Sequence, residues 1–577
     1  MKQLMMVKII RKEWLIGAIL LLALLVRVVG LGSMPQQLTP DEAALGYNAY
    51  SILKTGKDEH GVWFPLIFES FGDFKPGLYV YMTVPFVAVL GLNELATRLP
   101  SALMGVMAVL ALYGILRNQL ESSWTLGWKK WTVVVTPGHI VALFLAFNPY
   151  HLWFSRGAWE SQVALSLVLL SVWCLLRGLR RASGWWLVGS ATLMGSSFIM
   201  YQGAKMSSLL VMLLLVGFYG REVWRMWNWK WLVMAGGVFL LIVWPMVSSV
   251  LGGNASRLGV VSILNYQAPQ EYMEARYYDP TGLTADDWQM RLFYNPWMMK
   301  FRMILDRYMN YFGARFLVIE GDWHHPWTSV PYHGVLYWVE LPLLLVGLVT
   351  VILAQRRIWW FMLGWLLVAP LPGALTLDPI NAVRSMYMIA PLIAFIGYGA
   401  WWLIDRLRTE RWRLMATGGL LVVLGLSWFN FMQLVKHVYP VKHLSSSYYV
   451  GYDKLAQQAL AYSREYNVPI IIEPSYAQPQ IYVLFYGQID PLIVQTEAEY
   501  RSENENDVNL PRKISDDIRF DNLNWQKYRH DGNIVIAGRP SEFQLDELPA
   551  EQYELTRIMR PNGVEIYYVM YIRPEAS

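Results

Sequence analysis

Two adjacent carboxylates, Asp41 and Glu42, follow closely behind the first long apolar run, in the stretch LTPDEAALGYNAY at 38–50. Thr39 with Glu42 three positions on has the spacing of a helix capping box, and Pro40 suits a first helical turn. That reading gives Glu42 to the cap and leaves Asp41 for chemistry. An ionised carboxylate at a dry membrane interface is a competent general base for a hydroxyl or amine, worth roughly 10²–10⁴ in rate. Lys75, in GDFKPGLYVY, heads a further apolar segment, where an ammonium either snorkels to the interface or meets a lipid phosphate. Asp73 lies two positions before it and is a ready partner. Arg384, in LDPINAVRSMY, is a lone arginine at the outer end of a long apolar run, and a guanidinium there suits phosphate. Lys205 in YQGAK and Arg257 in NASRLGVVS are weaker cations of the same kind.

Other residues carry a structural reading as well. Arg156 and Glu160 in WFSRGAWE have the i, i+4 spacing of an ion pair on one helix face, which makes them structural support or acceptor contacts. Asp322, His324 and His325 crowd the segment GDWHHPW. Potential ligands in one loop without a distant partner make a poor metal site, so no metal and no other cofactor is expected.

The elements that must position these residues are set by composition. Of 577 residues, 55% are hydrophobic and only 16% charged, where soluble proteins carry about 25% charged residues. Apolar runs fall near 14–31, 96–116, 132–150, 161–176, 185–200, 206–220, 231–251, 333–353, 358–373, 383–404 and 414–432. A polytopic α-helical membrane protein with about eleven crossings is expected. Basic clusters such as Arg177, Arg180 and Arg181, or Arg406, Arg408, Arg411 and Arg413, fall on one side of such a topology, which positive-inside makes cytoplasmic. The parity holds only if 77–92 lies along the interface or re-enters without crossing. The outer side then receives 32–95, 252–332 and the tail, with NAS at 254–256 as an acceptor sequon.

After residue 438 the composition becomes that of a water-soluble domain. Strand-like VPIIIEP, QIYVLFYG, NIVIAG and GVEIYYVMYI, with a helical DKLAQQALAYSREY, predict a small α/β domain over 439–577 behind a membrane module over 1–438. The net charge of +5 sits mostly in short loops and does not point to nucleic acid. The single cysteine, Cys174, excludes disulfides within the chain. GxxxxGK[ST], GxGxxG between strand and helix, HExxH and GxSxG are absent, so nothing favours ATP-driven transport, a Rossmann nucleotide site or hydrolase chemistry.

The PDE loop behind an apolar first helix, FKPGLYVY, and LATRLPSALMGVMAVLALYGIL together resemble the C-type integral membrane glycosyltransferases. NPYHLWFSRGAWE, FLVIEGDWHHPW and NAVRSMYMIAPLIAFIGYG extend the resemblance over roughly 14–404. Within that class the chain is most similar to bacterial relatives of the protein mannosyltransferases (family 39) and to the aminoarabinose transferases. The resemblance implies a sugar donor on a polyprenyl monophosphate, an outward-facing cavity in a bacterial inner membrane, and inversion at the anomeric carbon. It makes Asp41 the base or acceptor-orienting acid, Lys75 the phosphate contact, and Arg384 a second one. Two departures are visible: the motif reads KPG rather than KPP, and Phe74 stands where aminoarabinose transferases have an acid assigned to metal. The sequence leaves the sugar and the acceptor (protein, lipid or glycan) open. A transporter or flippase of polyprenyl-linked sugars is the alternative, and a receptor or structural protein a third reading.

Overall fold

The computed structural model describes residues 2–117, 123–128, 131–251, 262–265, 287–293, 295–447, 449–474, 478–500 and 511–574. Arg257 and the sequon at 254–256 lie outside the described residues. The chain is an integral membrane protein. Among the described residues, six helices are long and apolar enough to cross a bilayer: Glu94–Arg117, Glu160–Arg181, Ala204–Met226, Trp229–Ser248, Met386–Asp405 and Glu410–Ser446. Other apolar runs form shorter helices, among them Pro137–Phe147 and Glu340–Ala354.

Three runs differ from their sequence reading, and in the one at 333–353 the helix begins only at Glu340. Over 132–150 the chain does not form one span: Trp131–Val135 pairs with Trp124–Trp128 as an antiparallel hairpin, and an 11-residue helix, Pro137–Phe147, follows. The β-branched Thr-Val-Val-Val stretch favours the strand, and Pro137 cannot continue a helix from before it. The run at 358–373 ends its helix at Val368, and Pro370 separates it from a short turn of helix at Leu371–Ala374. The helix Leu78–Leu90 is 13 residues, well short of the about 20 that a crossing requires.

By compactness the chain forms two units that alternate along the sequence. The first comprises Met1–Leu20, Met107–His151 and Ala164–Trp428. Within it, helices Glu340–Ala354 and Ile389–Asp405 pack closely because Gly347 faces the Phe395 carbonyl, where any Cβ would collide. Helices Ala204–Met226 and Arg357–Val368 meet through Tyr219 and Phe361, and Arg357 donates to Glu222 at 2.5 Å and 2.9 Å.

The second unit comprises Leu21–Val106, Leu152–Val163 and Phe429–Ser577. Its tail holds a seven-stranded mixed sheet in the order Tyr553–Met559, Glu565–Ile572, Ile534–Gly538, Ile470–Ile472, Ile518–Phe520, Pro511–Ser515, Glu499–Tyr500. Ile470–Ile472 runs parallel to both of its neighbours, and the outer pairs are antiparallel. One face buries Ile471, Ile536, Met570, Trp525 and Phe543. The helix Tyr452–Tyr466 packs on the same strands, as its sequence predicts. QIYVLFYG is the exception: Pro479–Gly487 is a helix with nearly every residue buried. A short apolar run buried all round has no periodicity to separate strand from helix, and Pro479 at its start favours the helix.

That buried helix braces the first outer segment. Helix Pro40–Thr55 lies against Pro479–Gly487, with Phe485 so close to Gly46 that a side chain there would clash. Tyr482 donates to the Leu38 carbonyl at 2.8 Å, and Gln37 to the Tyr449 carbonyl at 2.8 Å. Gln495 reaches Ser51, Thr55 and the Asp58 carbonyl at 3.1, 3.0 and 2.8 Å.

Candidate functional site

The first turn of helix Pro40–Thr55 separates its two acids. Glu42 closes the capping box: its N–H donates to Thr39 Oγ1 at 3.2 Å, and its carboxylate accepts the Thr39 N–H at 2.9 Å. The same carboxylate accepts from Arg98 Nε at 3.0 Å and from the Ala158 N–H at 2.8 Å, all of it buried. Arg98 also donates to the carbonyls of Leu31, Pro35 and Gln37 at 3.2, 2.8 and 3.0 Å. Glu42 is a structural hub.

Asp41 points elsewhere. Its carboxylate, 66% exposed, pairs with the ammonium of Lys75, which is 17% exposed. Lys75 is presented by a hairpin of Ile67–Ser70 and Asp73–Pro76 in which Phe68 faces Lys75. The two-residue turn has φ 54° at Phe71 and 71° at Gly72, the left-handed values of a type I′ hairpin. For Phe71 that conformation costs about 1–2 kcal/mol. The Lys75 ammonium sits 5.2 Å from the Phe71 ring, so the turn also supplies a π face to the cation. Asp73 ends the same hairpin opposite Ser70. Glu160, at the start of helix Glu160–Arg181, lies within electrostatic reach of both Lys75 and Asp41. Its Oε1 is sealed from solvent with no hydrogen-bond partner among the described residues.

Arg156 and Glu160 do not share a helix. One helix ends at Arg156 and the next begins at Glu160, so the i, i+4 geometry does not apply. Arg156 instead donates to the carbonyls of Val26, Arg27 and Val29 at 2.9, 3.1 and 3.0 Å, and to those of Gly30 and Met34 at 3.1 Å each. It finishes the end of the first helix, Lys2–Val28.

Glu59 and Asn48 form a further buried pair, with Asn48 donating to Glu59 at 3.0 Å and the Glu59 N–H donating back at 3.1 Å. Burial pushes the Glu59 carboxyl above its ordinary value of 4.5, against the opposing pull of His60 and the Asn48 amide.

The other sequence-derived residues belong to the first unit. Arg384 donates to Asp378 Oδ2 at 2.6 Å, and Lys205 donates to Gln202. Asp322 is buried and accepts from the N–H groups of His324 and His325 at 3.1 and 2.8 Å, from Thr328 at 3.1 Å and from the Ala382 N–H at 2.7 Å. It is a loop clamp. Sequence reasoning passed over Arg98, Asn48 with Glu59, and Asp378. Arg98 carried the signal used for Arg384, a lone arginine in an apolar run.

Phe74, 36% exposed on the hairpin, offers no ligand atom where the family resemblance implies a metal-binding acid. That position does not fit the implied metal.

No family model matches the sequence, and no curated protein matches it. Among solved structures, ArnT from Cupriavidus metallidurans in the apo state aligns at 13% identity and a TM-score of 0.54, over 96% of this chain and 97% of that one. The same protein bound to undecaprenyl phosphate aligns at 13% identity and 0.52, over 96% and 98%. The oligosaccharyltransferase AglB from Archaeoglobus fulgidus, in complex with an inhibitory peptide and a dolichol-phosphate, aligns at 12% and 0.46, over 82% and 63%, too low to argue from. The chain has the fold of the C-type glycosyltransferases, with a small C-terminal α/β domain.

Proposed function

We propose that this chain transfers a sugar from a polyprenyl-phosphate donor to an acceptor hydroxyl or amine, inverting the anomeric carbon, at the outer face of a bacterial inner membrane. The observation that carries this reading is the Asp41–Lys75 pair, an accessible carboxylate held by a half-buried ammonium in a chain of this fold. A structural neighbour bound to undecaprenyl phosphate supports the donor class.

The chemistry follows from charge. A donor phosphate competes with Asp41 for the Lys75 ammonium, and a cation in a low-dielectric setting stabilises the leaving phosphate strongly. Asp41, released from its partner, takes the proton of the acceptor O–H or N–H. The acceptor atom bonds to the anomeric carbon as the bond from that carbon to the phosphate oxygen breaks, and polyprenyl phosphate leaves. Glu160, buried beside both groups, orients the acceptor. The driving energy resides in the phosphate ester, so no nucleotide site is required.

Purified full-length protein is incubated with a panel of polyprenyl-phosphate sugars and membrane extract, and the products are weighed by mass spectrometry. A sugar-shifted acceptor with free polyprenyl phosphate is the expected result. Donor binding with neither transfer nor hydrolysis across the panel overturns the reading in favour of a transporter.

A further inference from the structure

The segment GDWHHPW lacks, in sequence, a distant partner for a metal, and the fold supplies one. Asp322 commits both carboxylate oxygens to its own surroundings. Oδ1 accepts the N–H groups of His324 and His325, while Oδ2 accepts Thr328 Oγ1 and the Ala382 N–H. The Ala382 bond ties the histidine loop to the segment that carries Asp378. One ring nitrogen of each histidine and one Asp378 oxygen then lie within 4.8 Å of one another.

The bonding around this cluster is uneven in an informative way. Asp378 Oδ2 is occupied by Arg384 at 2.6 Å and Asn381 at 3.0 Å. Its Oδ1 faces His324 Nε2 at 3.8 Å, longer than a hydrogen bond. His325 Nδ1 is sealed from solvent without a hydrogen-bond partner among the described residues, 3.5 Å from the Asp322 carboxylate. The ligand-bearing oxygen of Asp378 is therefore turned to the histidines, and its other oxygen is fixed from behind. Such backing of a ligating carboxylate is what orients metal ligands.

We propose that His324, His325 and Asp378 bind one divalent transition-metal ion of the zinc class. Two imidazoles and a carboxylate are an open zinc set, three protein ligands with a fourth position for water or an anionic oxygen. Zinc–nitrogen bonds of about 2.0–2.1 Å require the cluster to tighten. The His324 ring, 46% exposed, does so by side-chain rotation, without moving the backbone that Asp322 holds. Arg384, on the same carboxylate, favours an anionic fourth ligand by its charge. The site does not rest on the proposed transfer, which uses none of these residues.

Untagged full-length protein is stripped with chelator, titrated with zinc, and read by calorimetry and by elemental analysis after desalting. Wild type retains one equivalent. His324→Ala and Asp378→Asn each weaken binding at least about tenfold, and His437→Ala, an exposed histidine outside the cluster, changes nothing. Cobalt in place of zinc gives the visible absorption of a tetrahedral site in wild type and loses it in His324→Ala. Wild type that retains no more zinc than His324→Ala overturns the site. Because His324 is half-exposed, that variant folds and keeps the comparison decisive.

Discussion

Asp41 and Glu42 are consecutive residues on one helical turn, yet their surroundings are opposite. Glu42 is buried, meets a buried guanidinium, and also accepts two backbone N–H groups. Asp41 is exposed and meets the ammonium of Lys75, whose side chain is 17% exposed. A buried pair whose remaining valences are filled fixes structure and is costly to break. An exposed pair contributes little to stability, about 0–1 kcal/mol, and can be exchanged for another anion at small cost. The contrast is why the proposed base is Asp41 rather than Glu42.

The sharpest way to break that comparison is to neutralise each acid in turn. Asp41→Asn is expected to lower transfer by about 10²–10⁴-fold while leaving the thermal unfolding midpoint close to wild type. A comparable loss of stability would show that Asp41, like Glu42, is structural. Glu42→Ala strands Arg98 without its counter-charge and is expected to cost about 3–5 kcal/mol, read as a large fall in detergent-solubilised unfolding midpoint. Lys75→Met sharpens the other half of the pair: donor affinity falls about tenfold or more, whereas stability changes by less than about 1 kcal/mol.

A smaller effect lies in Glu59. Its carboxyl is raised in the folded protein, so the folded state binds the proton more tightly than the unfolded chain does. Stability from this group is present at low pH and is lost as pH rises above the ordinary carboxylate value. Glu59→Gln keeps a hydrogen bond for Asn48 and removes the ionisation, so its unfolding midpoint should exceed wild type by a margin that grows with pH. A constant margin would assign the effect to packing. The smallest expected change is Thr39→Ala, which removes the cap and costs about 1 kcal/mol.

Much of this was legible in the sequence because it is local. The Thr39–Glu42 box, the membrane runs and the three tail strands at Ile470–Ile472, Ile534–Gly538 and Glu565–Ile572 depend on neighbours within a few residues. What escaped depends on residues far apart in the chain. Arg98 reaches Glu42 across 56 positions, and Arg156 turns from its near neighbour Glu160 to carbonyls more than 120 positions away. Asp378 meets the histidine loop across more than 50 positions, where Asp322 binds the Ala382 N–H. QIYVLFYG failed for another reason, since burial on all sides removes the pattern that separates strand from helix.

The grip of Arg156 on the end of the first helix has a consequence for synthesis. The carbonyls of Val26 and Met34 wait for a side chain made 130 and 122 residues later. At about 5–20 residues per second, that interval is roughly 6–26 s. The strands that present Lys75 and the helix that carries Asp41 leave the ribosome inside this window. The collar closes behind them, so the segment bearing Asp41 and Lys75 has emerged in full before Arg156 grips the chain in front of it.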